Sequence, residues 1–130
     1  MLRPITPRMV FAALVRELEY LRAEIQNPQS RWRAQRFYRA YAVMTLCRIL
    51  YTHRLGDVVS KPRAARWALR AVPHRWHALI RAAWSGSRTT ERALPLPRIA
   101  RFIDYAGAQL DDAAAIGVDN EQRANRPPEL

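Results

Sequence analysis

Met9, Val10, Ala13, Leu14, Leu18, Leu21 and Ile25 recur three or four residues apart, the period of one helical face. Arg16, Glu17, Glu19 and Arg22 fall mostly elsewhere on that wheel. Thr6 before Pro7 reads as an N-cap with a first-turn proline, and Asn27-Pro28 ends the segment. A second helix is expected from near Ser30 to about His53. Phe37, Tyr38, Tyr41, Val43, Met44, Leu46, Cys47, Ile49, Leu50 and Tyr51 make it apolar on nearly every side. A helix of that kind belongs at the centre of a bundle. Gly56 closes it in a turn.

Ser60 is placed to cap a third helix, with Pro62 tolerated in its first turn. Ala65, Trp67, Ala68, Leu69 and Val72 give that helix one apolar face. Pro73 breaks it and starts a fourth helix, containing Trp76, Leu79, Ile80, Ala83 and Trp84. Ser85 to Pro97 reads as a loop. A last helix from about Arg98 to Ala115 turns Ile99, Phe102, Ile103, Ala106 and Leu110 inward. No alternating run of β-branched residues appears, so no sheet is expected. The pattern predicts an all-α bundle of about five helices over residues 1–116, with a polar tail over 117–130 that frays.

The chain has 130 residues, of which 49% are hydrophobic, enough for one domain with a real core. Cys47 is the single cysteine, so no internal disulfide can form, and a reducing, cytoplasmic setting is expected. No run of 18 apolar residues occurs, so no membrane partner is expected. The N-terminal stretch lacks the apolar core of a secretion signal.

Charge changes the picture more. Lys and Arg total 22 against 11 acids, a net charge of +11, and Lys61 is the sole lysine. Residues 1–100 carry +14 and residues 101–130 carry −3. A basic body calls for an anionic partner: nucleotide phosphates, RNA or an acidic protein. A genome rich in arginine and alanine codons gives the same composition with no partner at all.

Within that charge, Arg48 and Lys61 stand out. A buried arginine is costly unless it meets an anion. Lys61 opens a helix, where free N–H groups and the dipole attract anions. Two cations converging across a short turn form a polyphosphate site, with Ser60 and the first-turn N–H groups beside them. The bland alternative is a surface lysine and an arginine paired with Asp57. His74 and His77 have a metal-compatible spacing but no Cys, Asp or Glu nearby, so no metal site is expected. Trp67 and Trp76 fit core packing, whereas Trp32, between Arg31 and Arg33, is the tryptophan expected to be exposed.

Leu46-Cys47-Arg48-Ile49-Leu50, Gly56-Asp57-Val58-Val59-Ser60-Lys61, Ala64-Ala65-Arg66-Trp67-Ala68-Leu69 and Val72-Pro73 follow one another without gaps. This run resembles the C-terminal helical domain of the streptomycin/spectinomycin adenylyltransferases, aminoglycoside nucleotidyltransferases linked to antibiotic resistance. A looser likeness extends from about Thr6 to Leu110. The resemblance implies a preceding catalytic domain that binds ATP and Mg, with the antibiotic held between the domains. It implies that Arg48 and Lys61 contact the triphosphate. The family's further contact is a tyrosine late in the fourth helix, where this chain has Trp84. Drug-binding members carry an acid about ten positions before the arginine, where this chain has Tyr38. Tyr38, Tyr41 and Trp84 are therefore the residues expected against substrate.

Adenylyl transfer of this type needs metal-binding carboxylates, usually after a Gly-Ser. Gly86-Ser87 is followed by no Asp-x-Asp, and Asp111-Asp112 follows no strand. The chain alone is expected to hold no catalytic residue and no cofactor of its own, and to complement a separate nucleotidyltransferase domain. Arg48-x4-His53 also fits the spacing of the HEPN ribonucleases. That second resemblance implies a homodimer cleaving RNA without metal, with Arg48 and His53 facing one groove.

Overall fold

The computed structural model describes residues 4–30, 35–85 and 94–124. It is an all-α bundle of five helices, with no strand among the described residues. They are α1 (Pro7–Gln26), α2 (Arg36–Leu55), α3 (Lys61–Ala71), α4 (His77–Trp84) and α5 (Leu96–Ala124). A single 3-10 turn, His74–Trp76, joins α3 to α4. Pro73 thus sets up the tighter turn, and the α-helical fourth segment begins at His77.

The caps follow the sequence signals closely. Thr6 Oγ accepts from the Met9 N–H at 3.2 Å, and Ser60 Oγ accepts from the Arg63 N–H at 3.4 Å. Each covers one of the donors that the first turn of a helix leaves unsatisfied. The Asn27 side chain accepts from the Gln29 N–H at 3.0 Å and Ser30 Oγ donates to Glu24 at 2.6 Å, so the turn after α1 is tied back to it. Gly56 adopts φ 82°, the left-handed conformation that an L side chain resists, and α2 ends there.

α2 packs against all four other helices. Its middle is the centre of the core, with Val43, Leu46, Cys47 and Ile49 essentially inaccessible. Burial pushes the Cys47 thiol up to about 12, so it is a small core residue and no nucleophile. Leu14, Leu18, Leu21 and Ile25 of α1 close one side. Phe102, Ile103, Ala106 and Leu110 of α5 close another. Gly107 lets α1 approach α5: a Cβ there would lie 3.0 Å from the Arg22 guanidinium and 3.3 Å from Leu18.

Four differences from the sequence pattern stand out. Phe37 is 72% exposed in the first turn of α2, since periodicity marks an apolar position without showing what packs on it. Met9 is likewise exposed, in the first turn of α1. Leu94 is fully buried although it stands alone in a stretch read as loop, and its carbonyl accepts from Arg39 at 3.2 Å. The helical backbone of α5 continues through Gly117 to Ala124, since one interior glycine costs only about 1 kcal/mol. The rest of the expected tail, 125–130, lies outside the described residues, as do Trp32 and Gly86-Ser87. No helix among the described residues is long and apolar enough to cross a membrane.

Candidate functional site

Tyr41 and Arg48 are seven residues apart on α2, two turns along, and therefore share one side of the helix. The Gly56 turn reverses the chain and brings the start of α3 back to that side. Lys61, the first residue of α3, sets its ammonium 3.8 Å from the centre of the Tyr41 ring. A cation over an aromatic face is attracted by the ring quadrupole, worth about 0.5–1 kcal/mol at an accessible site.

Electrostatics tie Arg48 to the same place. Partial burial, and then the Arg48 guanidinium, pull the Lys61 ammonium below its ordinary value of 10.5, while Glu17 of α1 offsets part of this. Arg48 is half-buried rather than enclosed: it stands at the edge of a groove of about 580 Å³ between α1, α2 and the segment before α3. Among the described residues Arg48 forms no ion pair, and Asp57 is exposed. Glu17 and Arg16 also line the groove, and its apolar rim includes Ile5, Met9 and Val58, all largely exposed.

The first turn of α3 offers fewer backbone donors than its sequence promised. Pro62 has no N–H, and the Arg63 N–H is taken by Ser60. The Ala64 N–H is held by the Ser60 carbonyl. Of the backbone donors from Lys61 to Ala64, this leaves the N–H of Lys61. Ser60 Oγ, although accepting from Arg63, keeps its own O–H to donate.

Tyr38 is half-buried one turn before Tyr41, edge-on to Phe37 at 5.5 Å. Trp84 is half-buried at the end of α4, with the Arg66 guanidinium 5.9 Å from its ring centre, one and a half turns beyond Lys61. The structure thus sets Lys61 on Tyr41, with Arg48 on the same side of α2 and acting on the lysine through its charge, and places Trp84 with Arg66. Glu17 is the member that sequence reasoning missed. It sits among charged residues on the solvent side of the α1 wheel, and no spacing ties it to Lys61.

His53 points elsewhere on α2. Its ring lies 6.2 Å from that of Phe11, and it reaches the Gln109 carbonyl of α5. Burial lowers its pKa, and the bond to that carbonyl opposes the shift. Five residues on a helix turn the direction by about 140°. Arg48 lines the α1 groove and His53 does not. His74 and His77 have ring centres 5.0 Å apart, and His77 Nε2 lies 2.9 Å from the Val72 carbonyl, a bond that stitches the turn to α3. No cluster of three His, Cys, Asp or Glu suited to a metal exists among the described residues.

Comparison with known proteins adds one finding. A family model described as aminoglycoside adenylyltransferase, C-terminal domain, matches residues 1–109. No solved structure gives a significant match.

Proposed function

Because the chain belongs to the family of aminoglycoside adenylyltransferase C-terminal domains, we propose that it supplies one wall of a nucleotide-phosphate site to a nucleotidyltransferase domain. The placement of Lys61 on Tyr41, two turns from Arg48 on the same side of α2, supports this reading. Two cations that repel each other, with Glu17 as the nearby counter-charge, gain when phosphate oxygens come between them. Tyr41 holds the lysine at the place where it is wanted, and the Ser60 hydroxyl has a donor to add.

The described carboxylates form no metal cluster, so in this reading Mg and the transfer chemistry come from the catalytic domain. Ile5, Met9, Leu55 and Val58, all more than half exposed, give that domain an apolar surface to cover next to the cations. Alone, the chain should transfer no AMP to streptomycin or spectinomycin.

One wall of a site binds weakly. ATP affinity of the isolated chain should be on the order of millimolar, equivalent to about 4 kcal/mol. It should fall as salt rises, because the attraction is partly exposed and Coulombic. Lys61→Ala should remove binding at little loss of stability, since the side chain lies at a helix start. Arg48→Ala should remove it and also lower the melting temperature, because the arginine stem packs along the groove. Titration of the three proteins with ATP by NMR is the test. Equal binding by Lys61→Ala would refute the site.

A further inference from the structure

A second set of cations lines a different recess. The 3-10 turn places Arg75 and Trp76 against the first turns of α5. Trp76 is 5% exposed, packed on Phe102 at 5.0 Å and Tyr105 at 5.7 Å. Two guanidinium groups lie on its ring, Arg75 at 5.2 Å and Arg98 at 5.5 Å, and Arg75 also stands 5.6 Å from the Tyr105 ring. The Arg98 guanidinium donates to the Arg75 carbonyl, so two elements distant in sequence fix each other's charge. Arg101 follows one turn later on α5 and lines the same open recess of about 470 Å³.

A guanidinium stacked by its face keeps its N–H edges for other partners. Arg75, Arg98 and Arg101 form no ion pair among the described residues. The carboxylate in the lining is Asp104, which also reaches Arg22 of α1 at 3.5 Å. The lining therefore carries an excess of two positive charges. The Trp76 indole N–H is buried and has no hydrogen-bond partner among the described residues, so it is a distinct reporter on the packing behind this wall. Like charges gathered around one indole repel, and an anion with several oxygens relieves all of them at once.

We propose that Arg75 and Arg98, both over the Trp76 ring, together with Arg101 on the same recess, form an oxyanion site for a phosphomonoester dianion. A phosphomonoester carries close to two negative charges at neutral pH and three terminal oxygens, which match this excess and these forks. A carboxylate matches half of the charge. The ligand is a small phosphomonoester or the phosphorylated end of a nucleic acid, and the chemistry recognised is the same. The site shares no residue with the Arg48–Lys61 groove, so it stands or falls independently of it.

The test is titration of the full chain with inorganic phosphate at constant ionic strength, followed at the Trp76 indole N–H by NMR. A saturable shift in the millimolar range is expected. Arg98→Gln should weaken it about tenfold or more, and Arg101→Gln, an exposed change that spares the packing, should weaken it in the same direction. Arg48→Gln should leave it unchanged. A Trp76 signal that does not saturate, that responds equally to matched chloride, or that is unchanged from wild type in the Arg98 and Arg101 variants would overturn the site. So would loss of the shift in Arg48→Gln. AMP and a pair of oligonucleotides, with 5′-phosphate and with 5′-hydroxyl, then separate the sources. Tighter binding of the 5′-phosphate form than of the 5′-hydroxyl form assigns a nucleic-acid end, and displacement of phosphate by AMP but by neither oligonucleotide assigns a small molecule. Equal displacement of phosphate by both oligonucleotides would overturn the preference for a monoester.

Discussion

The central helices and the outer pair treat charge in opposite ways. Between Ile25 and Thr90 the chain carries 13 basic residues and a single acid, Asp57, whereas the rest of the sequence holds 9 bases and 10 acids. Across the outer pair, α1 and α5, Arg22 meets carboxylates on both helices: it reaches Glu19 at 2.8 Å and Asp104 at 3.5 Å. In α2 to α4 cations meet rings and carbonyls instead, as Lys61 does on Tyr41, Arg66 on Trp84 and Arg39 at the Leu94 carbonyl. A carboxylate neutralises a cation, but a ring only positions it. Arg22 is closed off by carboxylates, whereas the cations of the central unit, and Arg98 where α5 meets it, keep positive charge available for an anion.

The largest effect should come from cutting the two regions apart. Phe102 of α5 is fully buried and packs on Trp76, between the outer and central units. Phe102→Ala should cost about 3–5 kcal/mol by emptying that junction, read by chemical denaturation. Loss of less than about 1 kcal/mol would mean that the units are held elsewhere. Gly56→Ala tests the turn that brings Lys61 to Tyr41. No atom lies within 4 Å of the added Cβ, so its penalty is conformational, about 1–2 kcal/mol.

Smaller effects sharpen the electrostatic half of the comparison. Arg22→Ala removes an exposed ion pair and should change stability by less than about 1 kcal/mol, a change that added salt reduces further. His53 gives a slope with pH. Its pKa is lowered from the ordinary 6.5 in the fold, so the unfolded chain binds the proton more readily. Stability should be full above about pH 6.5, decline as pH falls through it, and level off below the folded value. His53→Gln should flatten that segment of the profile of melting temperature against pH.

Local signals made the fold legible. Thr6-Pro7, Asn27-Pro28, Gly56 and Ser60-Lys61-Pro62 each act within a few residues of their own position, and the structure places a helix end at every one. The helical period likewise marked Leu14, Leu18 and Leu21, and Ile99 to Leu110. What failed depended on neighbours distant in sequence. Phe37 has the right period but stays exposed, and Leu94 is buried without a period. At the site, Arg48 and Lys61 stood out because charge and a helix start are visible in sequence. The placement of Lys61 over Tyr41, with Glu17 near, depends on how α3 leans on α2 and where α1 lies, angles that no spacing encodes. The Arg75–Arg98 pair, 23 residues apart and meeting over one indole, was beyond reach for the same reason.

Lys61 is the only lysine in the chain, so its ammonium can be observed alone by lysine-selective isotope labelling. Burial, and after it the Arg48 guanidinium, holds its pKa below the ordinary 10.5, and an anion bound between the two cations must raise it. Titrating this one signal against pH, with and without ATP, tests the claim of an open cationic site directly. The prediction is a saturable shift and a pKa that rises with ATP, both abolished in Arg48→Gln. A Lys61 pKa unmoved by saturating ATP, or an equal rise in Arg48→Gln, would contradict it.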